Sequence, residues 1–391
     1  MKKLLVKLFI KNYQDTTNPI IRSKYGSLAG IVGIIVNIIL FIIKVLAGAL
    51  SGSIAIITDG INNLTDASSS IITLVGFKMS AKPADEDHPF GHQRIEYLTG
   101  VIVSFIILFI GIFLGIESTK KIINPEMPSP NFVIYIILVA SILGKLWLSI
   151  FNRKMGKDIS SFTLKATAQD SLNDCISTAA VIVGMIVYAV FNISIDGYIG
   201  ILVSIFILIS GINMVKETIS PLLGENVSQE LSDKISSKVL SYEGILGVHD
   251  LVVHSYGPNK TYATIHVEVS SKENIFEIHD TIDNIERDFR KELNIDLVIH
   301  MDPVDNDDPK TQELKEVVIK ILLDYDPVLT IHDFRIVPGP THTNVLFDIN
   351  MPIKHKDTPK ELRKNITKLI KEYDETLNPV IQIDQVYNRN N

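Results

Sequence analysis

A single cysteine, Cys175, stands among 391 residues, so no intramolecular disulfide can brace the fold. The part of the chain outside lipid is therefore expected in a reducing compartment, and Cys175 reads as a small apolar helix residue. No glycine loop of the G-x-x-x-x-G-K-[ST] type occurs, which argues against ATP-driven work within this chain. Serine and cysteine nucleophile motifs are also lacking, so an enzyme is not expected. The start, MKKLLVKLFIKNYQDTTNPIIRSK, lacks a small-residue cleavage pattern and is not expected to be a cleaved signal peptide.

What the chain has instead is apolar length. Mean hydropathy is +0.26 and 46% of residues are apolar, yet charge is unevenly spread. Residues 1 to 220 carry 18 basic and 14 acidic residues, and the remainder 19 and 30. The front is expected in a bilayer and the back as an acidic soluble part, with no nucleic-acid partner. Runs near the ~20 residues a bilayer requires fall at 29 to 50, 54 to 78, 97 to 118, 132 to 151, 162 to 190 and 197 to 215. Six crossings place both termini on one side. The basic N-terminal segment and NRKMGK at 152 to 157 make that side the cytoplasm of a cell inner or plasma membrane, although Lys120 and Lys121 fall opposite.

Two of the runs contain what a bilayer tolerates least. TDGINNLTD at 58 to 66 puts Asp59 and Asn63 four residues apart, and AQDSLND at 168 to 174 does the same with Asp170 and Asp174. Each pair lies on one helix face about a turn apart. A carboxylate at mid-membrane costs at least ~3 kcal/mol on insertion scales and marks an ion path or a partner. With the second run entering near Ser53 and the fifth near Ser161, at ~1.5 Å per residue across ~30 Å, Asp59 levels with Asp174 and Asn63 with Asp170. Four oxygen donors in one layer form a site for a divalent cation. Asn62, Asp66 and Asn173 are candidates for supporting contacts. Asn37, Lys44 and Lys145 read as packing or snorkelling side chains without a further role.

The loop KPADEDHPFGHQRIEY, 82 to 97, offers Asp85, His88 and His92 with metal-site spacing, though a solvated turn could carry the same residues. In the back half, amphipathic stretches LSDKISSKVL and NIFEIHDTIDNIERDF flank or precede strand-like GVHDLVVHSY, TYATIHVEVS and DLVIHMDPV. The order helix, strand, strand, helix, strand is that of a ferredoxin-like α+β unit. It recurs: LKEVVIKILLDYDPVLTIHDFRIVPGP parallels LSDKISSKVLSYEGILGVHDLVVHSYGP, with His249 mapping to His332 at an offset of 83 and Asp302 to Asp384 at 82. The domains expected are a cytoplasmic segment (1–25), a six-helix transport domain (26–220), a cytoplasmic ferredoxin-like domain (221–308) and its repeat (309–391).

SGSIAIITDGINNLTD, PADEDHPFGHQRIE, AQDSLND and the HDL and IHMDP segments resemble the cation diffusion facilitator family over about 26 to 305, most closely its bacterial manganese-exporting branch. The resemblance implies a homodimer that exports divalent metal from the cytosol in exchange for protons, with Asp59, Asn63, Asp170 and Asp174 as transport site. Zinc-transporting members place histidine where this chain has Asp170 and aspartate where it has Asn63. An all-oxygen set suits a harder ion, so Mn2+ is the expected cargo, with Zn2+, Fe2+ or Co2+ as alternatives. Three ionised carboxylates exceed a divalent charge by one, so a proton could compete with metal there. His249, His266, His279, His300 and Asp302 match the family's cytoplasmic metal positions. In the repeat Asp348, Glu361 and Gln382 stand for His266, His279 and His300, and loss of that site is expected. The alternative from another class is a metal-responsive receptor or scaffold without transport, which would not require carboxylates at mid-membrane.

Overall fold

The computed structural model describes the chain apart from residues 1, 17, 52, 53, 125–131, 192, 194, 306, 307 and 387–391, and apart from the side chains at 48, 50, 51, 54–56, 58, 59, 133, 196 and 386. The chain divides into two units, Met1–Glu225 with Ser255–Lys260, and Asn226–His254 with Thr261–Asn391.

The first unit is helical. A short α1 (Lys2–Phe9) precedes α2 (Pro19–Ser51), α3 (Ile54–Ser80), α4 (Ile95–Ile123), α5 (Phe132–Asp158), α6 (Phe162–Phe191) and α7 (Asp196–Leu223). Among the described residues, five helices are long and apolar enough to cross a membrane: α2, α4, α5, α6 and α7. The expected second crossing, α3, has 27 residues, about 40 Å of helix, but its middle reads DGINNLTDASSS. Helix ends run past the apolar runs. α2 starts at Pro19 rather than near 29, because proline presets the first helical φ and the Asn18 side chain accepts the Ile20 N–H at 2.9 Å. α5 continues through the basic NRKMGK to Asp158.

Small residues let these helices close on one another. A Cβ on Gly26 would fall 2.0 Å from the Phe77 ring, and one on Gly30 2.9 Å from Leu74 Cβ, so the α2 backbone lies directly against α3. α4 packs on α7, and α5 on α6. Ile31, Ile35 and Ile39 of α2 and Phe105, Phe109 and Phe113 of α4 face outward, an apolar surface suited to lipid. At one end Arg22 and Glu96, both buried, form a bidentate pair with two contacts of 2.7 Å, and Arg22 also donates to the Ile159 carbonyl. Breaking such a pair from one side costs about 3–5 kcal/mol, because it strands the other charge.

The second unit repeats one element order. α8 (Gln229–Leu240), β1 (Ile245–Ser255), β2 (Thr261–Ser270), α9 (Ile275–Asp288, continued by a π turn at Phe289–Leu293) and β3 (Ile295–Val304) are followed by α10 (Pro309–Tyr325), β4 (Thr330–Pro338), β5 (Thr343–Pro352), α11 (Pro359–Tyr373) and β6 (Leu377–Val386). The two three-stranded sheets run β1-β2-β3 and β4-β5-β6, with β2 parallel to β3 and β5 parallel to β6. Period-two burial places Ala263, Ile265, Val267 and Val269 in one core and Val345, Phe347, Ile349 and Met351 in the other, each 82 residues on. Asp250 and Asp333 share a left-handed φ of 49°, and β4 shifts register between His332 and Arg335.

The helices α9 and α11 correct one expected correspondence. Their N-caps, Asn274 and Thr358, are 84 residues apart, because the turn after β5 is two residues longer than that after β2. The position of His279 in α9 is therefore matched by Arg363. Glu361 instead closes a capping box with Thr358.

Candidate metal centres

In the helical unit three carboxylates meet on α3 and α6. Oxygens of Asp66, Asp170 and Asp174 lie within 4.8 Å of one another. Asp66, Asp170 and the neighbouring Asn63 are buried, and the Asp174 side chain is 26% exposed. Between them stands a lysine from α5: Lys145 Nζ lies 2.5 Å from Asp66 Oδ2 and 2.6 Å from Asp174 Oδ2. Asn63, one turn before Asp66, donates from Nδ2 to Asp66 Oδ2 at 3.2 Å, while its own Oδ1 is buried without a hydrogen bond. An acceptor with no donor, beside three carboxylates, is an electron-pair surplus that only a cation or a proton donor can answer. The Asp59 backbone lies one turn earlier on α3, and its side chain is outside the described residues.

The loop between α3 and α4 folds its three candidates together. His88 Nδ1 is 3.3 Å and His92 Nε2 3.4 Å from the Asp85 carboxylate, and the two rings are 4.6 Å apart. A tight turn enforces this, in which the His88 N–H donates to Asp85 Oδ1 at 2.8 Å and Gly91 takes a φ of 85°. Donation from the His88 N–H, helped by the imidazoles, holds the Asp85 carboxyl below its ordinary range. His92 is mostly covered and its Nδ1 donates to the Pro83 carbonyl at 3.0 Å, whereas Asp85 and His88 are exposed.

The second unit gathers two further sets of donors, and His249, Asp250, His266, His300, Asp302 and Asp348 among them line a cleft of about 440 Å3. In the first copy, Asp302 receives His249 Nε2 at 3.2 Å, His266 Nδ1 at 2.9 Å and His300 Nε2 at 3.4 Å. His279 lies elsewhere, exposed on α9, with Asp283 at 3.7 Å. In the second copy His332 Nε2 lies 3.4 Å from Asp384, 3.9 Å from Asp348 and 3.4 Å from Asp250 of the first copy. Gln382 Nε2 donates to both Asp348 and Asp384, at 3.3 and 3.2 Å. The two sets adjoin, with the His249 and His332 rings 4.5 Å apart. Burial, then the neighbouring His332, pulls His249 below its ordinary value. Burial, then Asp384, lifts the Asp348 carboxyl to about 6. The repeat, where loss of the first copy's site is expected, has Asp348 in place of His266 and Gln382 in place of His300, and still gathers His332, Asp348 and Asp384 with Asp250 of the first copy.

Comparison with known proteins bears on what these donors serve. Residues 30–223 match the cation efflux transmembrane domain, and residues 227–304 the cytoplasmic domain of cation efflux proteins. An uncharacterised transporter of Methanocaldococcus jannaschii is 30% identical over 278 residues, 68% of this chain and 97% of that protein. The manganese efflux system protein MneS of Bacillus subtilis is 30% identical over 291 residues, 72% of this chain and 97% of its own length.

The chain belongs to the cation efflux family.

A cation-efflux pump, FieF, of Pectobacterium atrosepticum is more distant at 26% identity over 280 residues, 71% of this chain and 93% of that pump. Membership makes this a multi-pass membrane transporter of cations, not an enzyme, and it covers α2 to α7 and the first copy. The two domain matches end at residue 304, before the second copy.

Two residues stand inside the membrane cluster that the sequence predicts only as a supporting contact, Asp66, and as a packing or snorkelling chain, Lys145. Asp66 is three residues from Asn63 and shares its helix face, a signal that a depth estimate anchored at Ser53 passes over. Lys145 does not snorkel: its side chain is 3% exposed and its ammonium is held by Asp66 and Asp174.

Proposed function

We propose that this cation efflux protein exports divalent metal from the cytosol, with Mn2+ as cargo, in exchange for protons and as a homodimer. Six crossings, with α3 as the second, put both termini in the cytoplasm and the second unit beside them. The observation that carries the reading is the donor set of Asn63, Asp66, Asp170 and Asp174, oxygen-only if the amide turns its carbonyl inward, gathered around Lys145. Hard oxygen donors suit Mn2+ better than Zn2+. Relatives named for manganese efflux and for cation efflux agree with the class, and the donor chemistry selects within it.

The charges suggest how the site works. Three ionised carboxylates and one ammonium leave a charge of −2, which a divalent cation neutralises. With Lys145 seated, Asp66 and Asp174 are paired, and protonation of Asp170 would lower the remaining charge for the empty site's passage between inward and outward states. Arriving metal takes the carboxylate oxygens that Lys145 holds, and the flexible four-carbon stem lets the ammonium swing aside. On release, Lys145 or protons reclaim the oxygens. Asp59, one turn from Asn63, is placed to join the ligands from the same helix.

The test is uptake by proteoliposomes under an imposed proton gradient, comparing Mn2+, Zn2+, Fe2+ and Co2+. Mn2+ should be carried, and Asp170→Asn should lower its flux about 100-fold, equal to ~2.8 kcal/mol. Wild-type Mn2+ flux in Asp170→Asn, or Zn2+ carried in preference to Mn2+, would overturn the reading.

A further inference from the structure

The second copy lies beyond the family's matched domains, yet its strands aim one buried histidine at three carboxylates. We propose that Asp250, His332, Asp348 and Asp384 form a second cation site of the soluble unit, shared between its two copies and suited to a hard divalent ion of the Mn2+ class. His332 and Asp384 have no hydrogen bond at His332 Nδ1, His332 Nε2 or Asp384 Oδ2, although all three atoms are buried and the His332 side chain is only 7% exposed. Buried polar atoms are ordinarily hydrogen-bonded, yet His332 Nε2 and Asp384 Oδ2 face each other at 3.4 Å without such a bond, which marks a place built for something else.

Distances agree. The approaches of 3.4, 3.4 and 3.9 Å from His332 Nε2 to carboxylate oxygens are longer than the ~2.7–2.9 Å of a charge-assisted hydrogen bond. The two of 3.4 Å match the spacing of two ligands that share one ion, since bonds of ~2.0–2.2 Å meeting at 90 to 109° separate donors by ~2.8–3.6 Å. In the first copy the contacts to Asp302 are 2.9 Å from His266, 3.2 Å from His249 and 3.4 Å from His300, and the donors are richer in imidazole. The backbone explains why the two copies share the site. Asp250 follows His249 in the left-handed conformation that Asp333 adopts after His332, and this turn sends the Asp250 carboxylate to the other copy's histidine. Gln382 holds Asp348 and Asp384 side by side, leaving Asp384 Oδ2 uncommitted. One imidazole and three carboxylates favour Mn2+ over the softer ions that a histidine-rich set prefers.

The experiment counts Mn2+ bound to the purified full-length chain by equilibrium dialysis and elemental analysis, in an Asp170→Asn background so that the membrane cluster does not enter the count. Asp348→Asn with Asp384→Asn should bind one Mn2+ fewer per chain, and His332→Gln should weaken that ion at least tenfold. Removing two like charges should leave the metal-free melting temperature of the double variant equal to or above that of its parent, while its Mn2+-induced rise shrinks. An unchanged Mn2+ count in a double variant that still melts cooperatively would overturn the site. So would a lowered metal-free melting temperature with an unchanged count, which would make the four residues an ion-pair network alone. The result stands or falls without regard to transport, because no flux is measured.

Discussion

The helical unit and the soluble unit both bury carboxylates, and they compensate them differently. In the helices Asp66, Asp170 and Asp174 share one ammonium, Lys145, carried on a flexible stem. In the cleft of the second unit Asp302, Asp348 and Asp384 face imidazoles fixed on strands, His249, His266 and His332. An ammonium that binds no metal must leave when a cation arrives, and it can return when the cation goes. A strand imidazole is itself a ligand and stays. The first arrangement suits a site that fills and empties, the second a site that holds its ion.

Removing Lys145 is the most severe way to break this contrast. Lys145→Met strands two carboxylates and should destabilise the metal-free protein by about 3–5 kcal/mol, read as a lower unfolding temperature in detergent. Mn2+ should restore much of that loss, because the ion replaces the missing charge. Arg22→Met breaks the buried pair with Glu96 and should cost about as much, with no rescue by Mn2+. Equal responses of the two variants to Mn2+ would reduce Lys145 to an ordinary ion-pair partner.

A smaller effect is expected in the cleft. Asp348→His gives the second copy the residue type that the first copy has at His266, 82 residues earlier. Selectivity at the shared site should move from Mn2+ toward Zn2+ by about tenfold, or ~1.4 kcal/mol, in competition dialysis. An unchanged ratio would mean that strand position, and not donor softness, sets the preference.

Much of this was open to reading before any coordinates, and the failures share a cause. AQDSLND is legible because two carboxylates four apart in an apolar run have few harmless explanations. Strands such as TYATIHVEVS announce themselves by alternation, and the repeat by His249 and His332. Helix ends are not legible from hydropathy, since Arg and Lys prolong a helix as well as leucine does. Hydropathy therefore ends α5 near 151, short of Asp158, and carries no sign that Lys145 pairs with Asp66 and Asp174. The meeting of Asp250 with His332 has no local signal, because 82 residues separate them and only sheet packing brings them together. Glu361 was matched with His279 because a two-residue insertion in a turn leaves no mark in composition.

The smallest expected effect separates the two copies by their helix caps. Neutral side chains cap the first copy: Ser228 accepts the Leu231 N–H and Asn274 the Phe276 N–H. In the second a carboxylate takes part at each helix start, Asp308 as the cap of α10 and Glu361 as the capping-box partner of the Thr358 cap of α11. Asp308 accepts from the Thr311 hydroxyl and N–H, and Glu361 accepts the Thr358 N–H and hydroxyl. These bonds hold both carboxyls below their ordinary values of 3.8 and 4.5, for Asp308 chiefly through the Thr311 hydroxyl and for Glu361 chiefly through the Thr358 N–H. A depressed folded value adds stability that is present above the unfolded value and lost as pH falls through the folded one. Below about pH 4, amide exchange at the starts of α10 and α11 should therefore quicken relative to α8 and α9 measured at the same pH. Glu361→Gln keeps the acceptor without the titration, and should abolish the difference at α11 while leaving it at α10. Equal acid sensitivity in all four helices would mean that the copies unfold as one body and that the caps have no separate influence.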